Sequence, residues 1–365
     1  MSTLTVNEPV ATGGKKSALP IIDCDVHTSP PTVDVMESYM PKRWQGYTAT
    51  YARKYVGAIA GMYPRITPGA IRRDSWSTPG TIGGSDLDLL REQLLDAWNV
   101  EYGIMTPRIG AGYETDHEYA AAAARAINEW QLEWLEEDER LKASVLYGVE
   151  DPSSAVEEIH RAAADPRFVQ ILGVARALEP LGRKKYWPVY EAAVEHGLPV
   201  GLHFGGNGHP TTGAGWASYY YEDHSGMSLA MAAQVTSFVF EGIFDRLPDL
   251  KIVLIESGFA WIQPLVWRME EAFARFRDEL PHLQRKPSEY VRDHFWLTTQ
   301  PIEEPTDPRH LTKIILESGA DRLMFASDYP HWDFDAPDQV LPSRVPLEVR
   351  RQIMADNARS LYRLA

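Results

Sequence analysis

Pro20-Ile21-Ile22-Asp23-Cys24-Asp25-Val26-His27 begins as a short apolar run and ends in a segment with two carboxylates and an imidazole. The run reads as a buried strand. Successive side chains of a strand point to opposite faces, so Asp25 and His27 share one face, about 6–7 Å apart along the chain. A carboxylate and an imidazole aimed together from a strand's C-terminal end make half of a metal site. The plainer reading is an Asp that caps a turn and a His packed nearby. Cys24 falls on the opposite face and reads as a small buried apolar residue.

Similar β-branched, apolar runs recur along the chain. Strands are expected near 20–25, 102–106, 142–147, 169–174, 199–203, 251–255, 294–298 and 322–326. Unbroken apolar runs of this length suit a parallel sheet buried on both faces. Helix punctuation separates them. Ser85 and Asp88 have capping-box spacing ahead of Leu87, Leu90, Leu94 and Trp98, and Thr115 and Glu118 repeat it before Tyr119, Ala123, Ile127, Trp130 and Trp134. Asp151-Pro152 reads as N-cap and first helical residue, and His196-Gly197 as a helix C-terminus. Alternating β and α in eight rounds predict an α/β chain folded as a (β/α)8 TIM barrel, with an open doubly wound sheet as the alternative.

Long excursions are expected after strands one and five. Residues 28–84 are rich in Tyr, Gly, Pro and Arg; residues 204–226 run Phe-Gly-Gly-Asn-Gly-His-Pro and then carry Trp216, Tyr219, Tyr220, Tyr221 and His224. Both leave C-terminal strand ends, where barrels build their sites, and loops of this length serve as lids or binding loops. The expected organisation is a flexible tail over 1–18 and one domain over 19–365, with 28–84 and 204–226 as active-site insertions.

Bulk composition narrows the function. Of the 365 residues, 44% are apolar and 24% charged, as in a soluble globular protein. With 51 acidic against 36 basic residues the formal charge is −15. That excess argues against nucleic acid or an anionic membrane surface as partner and leaves a small-molecule substrate. One cysteine allows no intrachain disulfide. The first eighteen residues lack an apolar core such as a signal peptide has, and no apolar run is long enough to span a membrane. A cytoplasmic location is expected.

Side chains at the C-terminal ends of barrel strands meet at one mouth. Asp25 and His27 end strand one, His203 ends strand five and Asp328 ends strand eight. Carboxylates gathered there repel one another unless a cation lies between them. Glu256 ends strand six in Ile255-Glu256-Ser257-Gly258 and adds a third carboxylate, as a ligand, a proton carrier or an orienting group. A set this anionic favours Mn or Fe over a His-rich site and has room for two ions. His209, His224 and His331 lie on mouth loops and are further candidates. Arg176 follows strand four and suits a substrate carboxylate or an ordinary salt bridge. Gln300 after strand seven and Trp332 beside His331 are candidates for substrate contact.

The pattern resembles the amidohydrolase superfamily, in its aminocarboxymuconate-semialdehyde decarboxylase-like branch (amidohydrolase family 2). The resemblance spans roughly 20–363. It rests on Asp25-Val26-His27, on Leu198-Pro199-Val200-Gly201-Leu202-His203-Phe204-Gly205-Gly206 and on Ala326-Ser327-Asp328-Tyr329-Pro330-His331. It implies a divalent metal (Zn, Mn or Fe, with a second ion as an option) held by Asp25, His27, His203 and Asp328. It also implies that Asp328 handles a proton, and that relatives are commonly dimers. Two departures stand out: Asp25 replaces the usual first histidine, and Glu256 stands where many relatives carry one. The implied activity is a metal-dependent hydrolase or non-oxidative decarboxylase acting on a small organic acid, with Asp328 and Glu256 as catalytic groups and Arg176, His331, Trp332 and Gln300 toward substrate. Glu256, His209 and His224 would serve a second metal. The alternatives are a mono- or dinuclear Fe/Mn oxygenase similar to 2-aminoisobutyrate hydroxylase, or a metal-binding subunit beside a paralogous partner.

Overall fold

The computed structural model describes residues 19–51, 70–107, 114, 116–206 and 208–365. The N-terminal stretch 1–18, Thr115 and part of the 28–84 insertion lie outside the described residues. Eight strands form one parallel sheet in sequence order: β1 (Ile22–Val26), β2 (Tyr102–Met105), β3 (Leu141–Leu146), β4 (Phe168–Val174), β5 (Val200–His203), β6 (Ile252–Ile255), β7 (Phe295–Thr298) and β8 (Leu323–Met324). Each falls within a residue or two of its expected place. Every residue of β1, β4, β6 and β7 is buried, as continuous apolar runs require.

The sheet curls until β8 meets β1, which makes it the expected barrel. Cys24 N donates to Phe325 O at 3.0 Å and His27 N to Tyr329 O at 2.7 Å. The Asp23 carboxylate reinforces this seam by accepting from Ser327 N at 3.0 Å and Asp25 N at 3.2 Å. Burial pushes Asp23 up to about 6 against the lowering effect of those hydrogen bonds. The last two strands before closure thus rest on local polar contacts as well as on a short ladder.

Helices lie between the strands. The expected stripe Tyr119, Ala123, Ile127, Trp130 and Trp134 is buried along the helix His117–Glu137. Its cap differs from expectation: Asp116 accepts from the N–H groups of Glu118 and Tyr119. In the same way Asp86, not Ser85, caps Leu87–Leu90, accepting from Asp88 N and Leu89 N. A carboxylate one residue nearer the helix reaches the second and third N–H groups directly and suits the positive helix end. That helix then widens over Arg91–Leu95, where Asp96 N reaches Arg91 O. Asp151 caps Pro152–Ala162 with Pro at its start, and His196-Gly197 ends Trp187–Glu195, both as expected. Among the described residues no helix is long and apolar enough to cross a membrane.

Both insertions leave the same end of the barrel. The first contains the helices Val33–Ser38 and Tyr47–Tyr51 and returns across the mouth, where Arg72 N bonds Pro330 O and Trp332 N bonds Ala70 O. Gly84 (φ +78°) closes it against β1. A Cβ there would stand 2.8 Å from the His27 carbonyl oxygen, so only glycine fits. The second insertion carries the short helix Tyr220–His224.

Candidate metal centre

Two overlapping groups of donors occupy the mouth. Ligand atoms of Asp25, His27, His203 and Glu256 all lie within 4.8 Å of one another, as do those of His27, Glu256, Asp328 and His331. His27 and Glu256 belong to both. The quartet implied by the resemblance is therefore spread over the two groups, and Glu256 stands between its halves. His331, expected toward substrate, lies among the donors.

Each side chain is aimed by its strand. His27 Nδ1 is 2.8 Å from the Thr106 carbonyl just past the end of β2, which fixes the proton there and turns Nε2 toward the mouth. The Thr106 hydroxyl donates to Asp25 Oδ1. The residue that follows β2 thus orients both Asp25 of β1 and His27 just beyond it. His27 Nε2 lies 2.9 Å from Asp328 Oδ1 and 3.2 Å from His203 Nε2. Across the β5–β6 ladder, His203 Nε2 is 2.5 Å from Glu256 Oε2. Asp328 Oδ1 also meets His331 Nδ1 at 2.6 Å, and Asp328 Oδ2 accepts from Gln300 Nε2 at 3.0 Å.

Glu256 and Asp328 both sit in left-handed backbone, at φ 56° and 60°. For non-glycine residues such φ values carry strain, and here each swings a carboxylate into the mouth.

The electrostatics call for a cation. Asp25 and Asp328 are fully buried and Glu256 nearly so, yet no lysine or arginine pairs with any of them among the described residues. Asp25 Oδ2 is buried without a hydrogen-bond partner. Burial, with the Glu256 charge beside it, pushes Asp25 up to about 7 despite His203. Asp328 is raised well above the usual carboxylate range by burial and by Glu256, Asp333 and Asp25. A divalent ion would supply the missing charge and a partner for the orphaned oxygen, so the donor set fits one.

The other candidates stand around this core. Gln300 Nε2 is shared between Asp328 and Asp333, at 3.0 Å to each Oδ2. His224 lies outside both donor groups and meets Asp333 Oδ2 at 2.9 Å; Asp333 raises it although burial pulls the other way. His209 also lies outside them, with Nδ1 2.8 Å from Pro210 O. Arg176 is buried beneath the second insertion, where Nε donates to His209 O at 2.9 Å and the guanidinium faces the rings of Phe204 and Trp216. Trp332 donates to Tyr220 OH and remains 41% exposed, so it walls the mouth rather than filling the core.

Three participants escaped the sequence reading. Thr106 carries no motif beyond being polar at a strand end. Asp333 follows His331 by two residues, but only its contacts with Gln300 and His224 mark it. Asp23 had no assigned role in the sequence and serves the barrel seam.

A family model described as amidohydrolase matches residues 22–364. Among curated proteins the chain is 26% identical over 298 residues to gamma-resorcylate decarboxylase of Polaromonas sp. (strain JS666 / ATCC BAA-500), covering 76% of this chain and 88% of that protein. Solved structures share the fold. The dihydroxybenzoic acid decarboxylase of Polaromonas sp. JS666, with bound manganese and 2-nitroresorcinol, matches at TM-score 0.67 and 21% identity over 95% of this chain and 97% of that one. The 5-carboxyvanillate decarboxylase of Novosphingobium aromaticivorans, complexed with manganese and 4-hydroxy-3-methoxy-5-nitrobenzoic acid, matches at 0.72 and 17% identity over 98% and 100%.

Proposed function

Because the chain belongs to the amidohydrolase family, as a metal-dependent enzyme of that superfamily, we propose that it removes carbon dioxide from a hydroxylated aromatic acid without an oxidant. The observation that carries this reading is the convergence of buried carboxylates and imidazoles from β1, β5, β6 and β8 on one mouth. The curated relative named above, a decarboxylase of such an acid, supports it. The relatives reported give the oxygenase alternative no support.

In this reading Asp25, His27, His203 and Asp328 hold the ion, with Glu256 and His331 close enough to join them. The cation those residues would hold would supply stabilisation of negative charge on the substrate's oxygens. Asp328 delivers a proton to the ring carbon that bears the carboxylate. The C–C bond then breaks, its electron pair returns to the ring, and carbon dioxide leaves. Asp328 regains its proton from water. Glu256 occupies the strand-six end where many relatives carry histidine, and its charge steadies the cationic side of the site. Trp332, Tyr220 and Tyr221 offer aromatic faces to a planar substrate. Arg176 holds the second insertion over the mouth through His209. One domain over 19–365, assembled as a homodimer or higher oligomer, completes the proposal.

The test is release of carbon dioxide from 2,6-dihydroxybenzoate and related hydroxybenzoates by the Mn2+-loaded enzyme, with and without oxygen. Equal release under both conditions supports the reading. Turnover only with oxygen consumption, and no carbon dioxide from any acid tried, would end it.

A further inference from the structure

We infer that His224 and Asp333 are positioning residues, which tie the seating of the second insertion to the orientation of Asp328 through the Gln300 amide. The inference rests on the reading above only in taking Asp328 as a ligand of the cation.

The chain of contacts is continuous. Asp328 Oδ1 is set by His27 and His331, but Oδ2 has Gln300 as its hydrogen-bond donor. Gln300 Nε2 carries two hydrogens and has two acceptors, Oδ2 of Asp328 and Oδ2 of Asp333, each at 3.0 Å. Gln300 is fully buried, so neither hydrogen has water as an alternative. Asp333 Oδ2 in turn meets His224 Nε2 at 2.9 Å, on the helix Tyr220–His224 of the insertion that follows β5. A second bond joins the same two segments, from Trp332 Nε1 to Tyr220 OH at 3.1 Å, with the His224 and Trp332 rings 5.6 Å apart.

This arrangement makes the insertion part of the site's geometry. When it is seated, His224 fixes Asp333, Asp333 fixes Gln300, and Gln300 turns Asp328 toward the donors around it. When it lifts, Asp333 loses its His224 partner and Gln300 is held from one side only. Substrate admitted beneath the insertion would therefore be met by an Asp328 whose position depends on closure.

The experiment is Mn2+ titration of the full chain as wild type, His224→Leu, Gln300→Leu and the double variant. Each single change is expected to weaken Mn2+ binding by about tenfold, the low end for groups that orient metal ligands. The double variant should be no weaker than the weaker single one, because both cut the same chain. His224→Gln, whose amide can still donate to Asp333, should recover affinity to within about threefold of wild type. Hydrogen exchange should quicken over 208–226 in His224→Leu but not in Gln300→Leu. If His224→Leu does not fold, Asp333→Ala replaces it with the same expectations. Unchanged Mn2+ affinity in His224→Leu, or a double variant about 100-fold weakened, overturns the inference. Tight, coupled Mn2+ binding without decarboxylation would leave the inference standing and sink the function.

Discussion

Glu256 and Asp328 leave their strands in the same left-handed conformation, at φ 56° and 60°, and so bring two carboxylates into one mouth from the two strands that flank β7. Side chains there cannot relax without unmaking the site. Strain and like charge together predict a trade between stability and function. Asp328→Asn keeps a residue that tolerates left-handed backbone and removes a carboxyl that burial and its acidic neighbours hold well above the ordinary range. The metal-free protein should gain about 1 kcal/mol while Mn2+ affinity collapses. Urea unfolding with chelator present checks the first half. A variant no more stable than wild type would mean that this carboxyl does not oppose folding.

Glu256→Gln preserves shape and removes the charge facing His203 at 2.5 Å. Turnover should fall by about 100-fold or more with the fold intact. Metal per chain separates the two roles: it falls if Glu256 is a ligand and holds if Glu256 acts on substrate. Wild-type rate with wild-type metal content would reduce Glu256 to a structural residue.

Thr106 holds both ends of the β1 pair, His27 through its carbonyl and Asp25 through its hydroxyl. Thr106→Val keeps volume and the carbonyl but removes the hydroxyl. Mn2+ binding should weaken by roughly 10-fold, as for other groups that orient metal ligands. Calorimetric titration reads it directly, and an unchanged dissociation constant would remove Thr106 from the site.

Metal binding should expel protons. In the metal-free protein Asp25 is raised to about 7 and Asp328 well above its ordinary range, both chiefly by burial, so both hold protons near neutrality. A cation competes with those protons for the carboxylates, so affinity should rise with pH through about 7. Mn2+ titration at pH 6.5 in two buffers of different ionisation enthalpy gives the proton count. A count of zero would contradict the raised values.

His294 predicts an acid weakness far from the mouth. It stacks on Phe244 at 4.2 Å, its Nδ1 meets Leu250 O, and its Nε2 meets Arg285 Nη2 at 2.8 Å, so the ring must be neutral. Burial first, and then Lys251 and Arg285, lower it to about 4. The unfolded chain therefore binds the extra proton between about pH 6.5 and 4. The stabilisation is full above that window and is lost as pH falls through it, by up to roughly 3 kcal/mol. His294→Asn, which keeps the donor to Leu250, should be less stable than wild type at pH 7. The gap should narrow toward pH 4.5; a gap that stays constant would refute the assignment.

All eight strands and the main helix stripes were legible in the sequence, because buried parallel strands write their positions as unbroken apolar runs and packed helices as a 3.6-residue period. Asp25, His27, His203, Glu256 and Asp328 were legible as strand-end groups, because a barrel sends every strand's C-terminus to one mouth. The helix caps were misplaced by one residue, since Ser85 and Thr115 fit the capping pattern as well as their aspartate neighbours did. Which titratable groups meet which was not written in the chain. His331 joins the donors because the turn after β8 folds it back onto Asp328, and His224 leaves them because Asp333 captures it. Asp23 and Asp25 are two residues apart on one strand, yet one closes the barrel and the other faces His27 and Glu256. Local sequence sets which face and which end a residue occupies; only closure of the barrel and docking of its loops decide the partner it finds there, because those contacts join segments hundreds of residues apart.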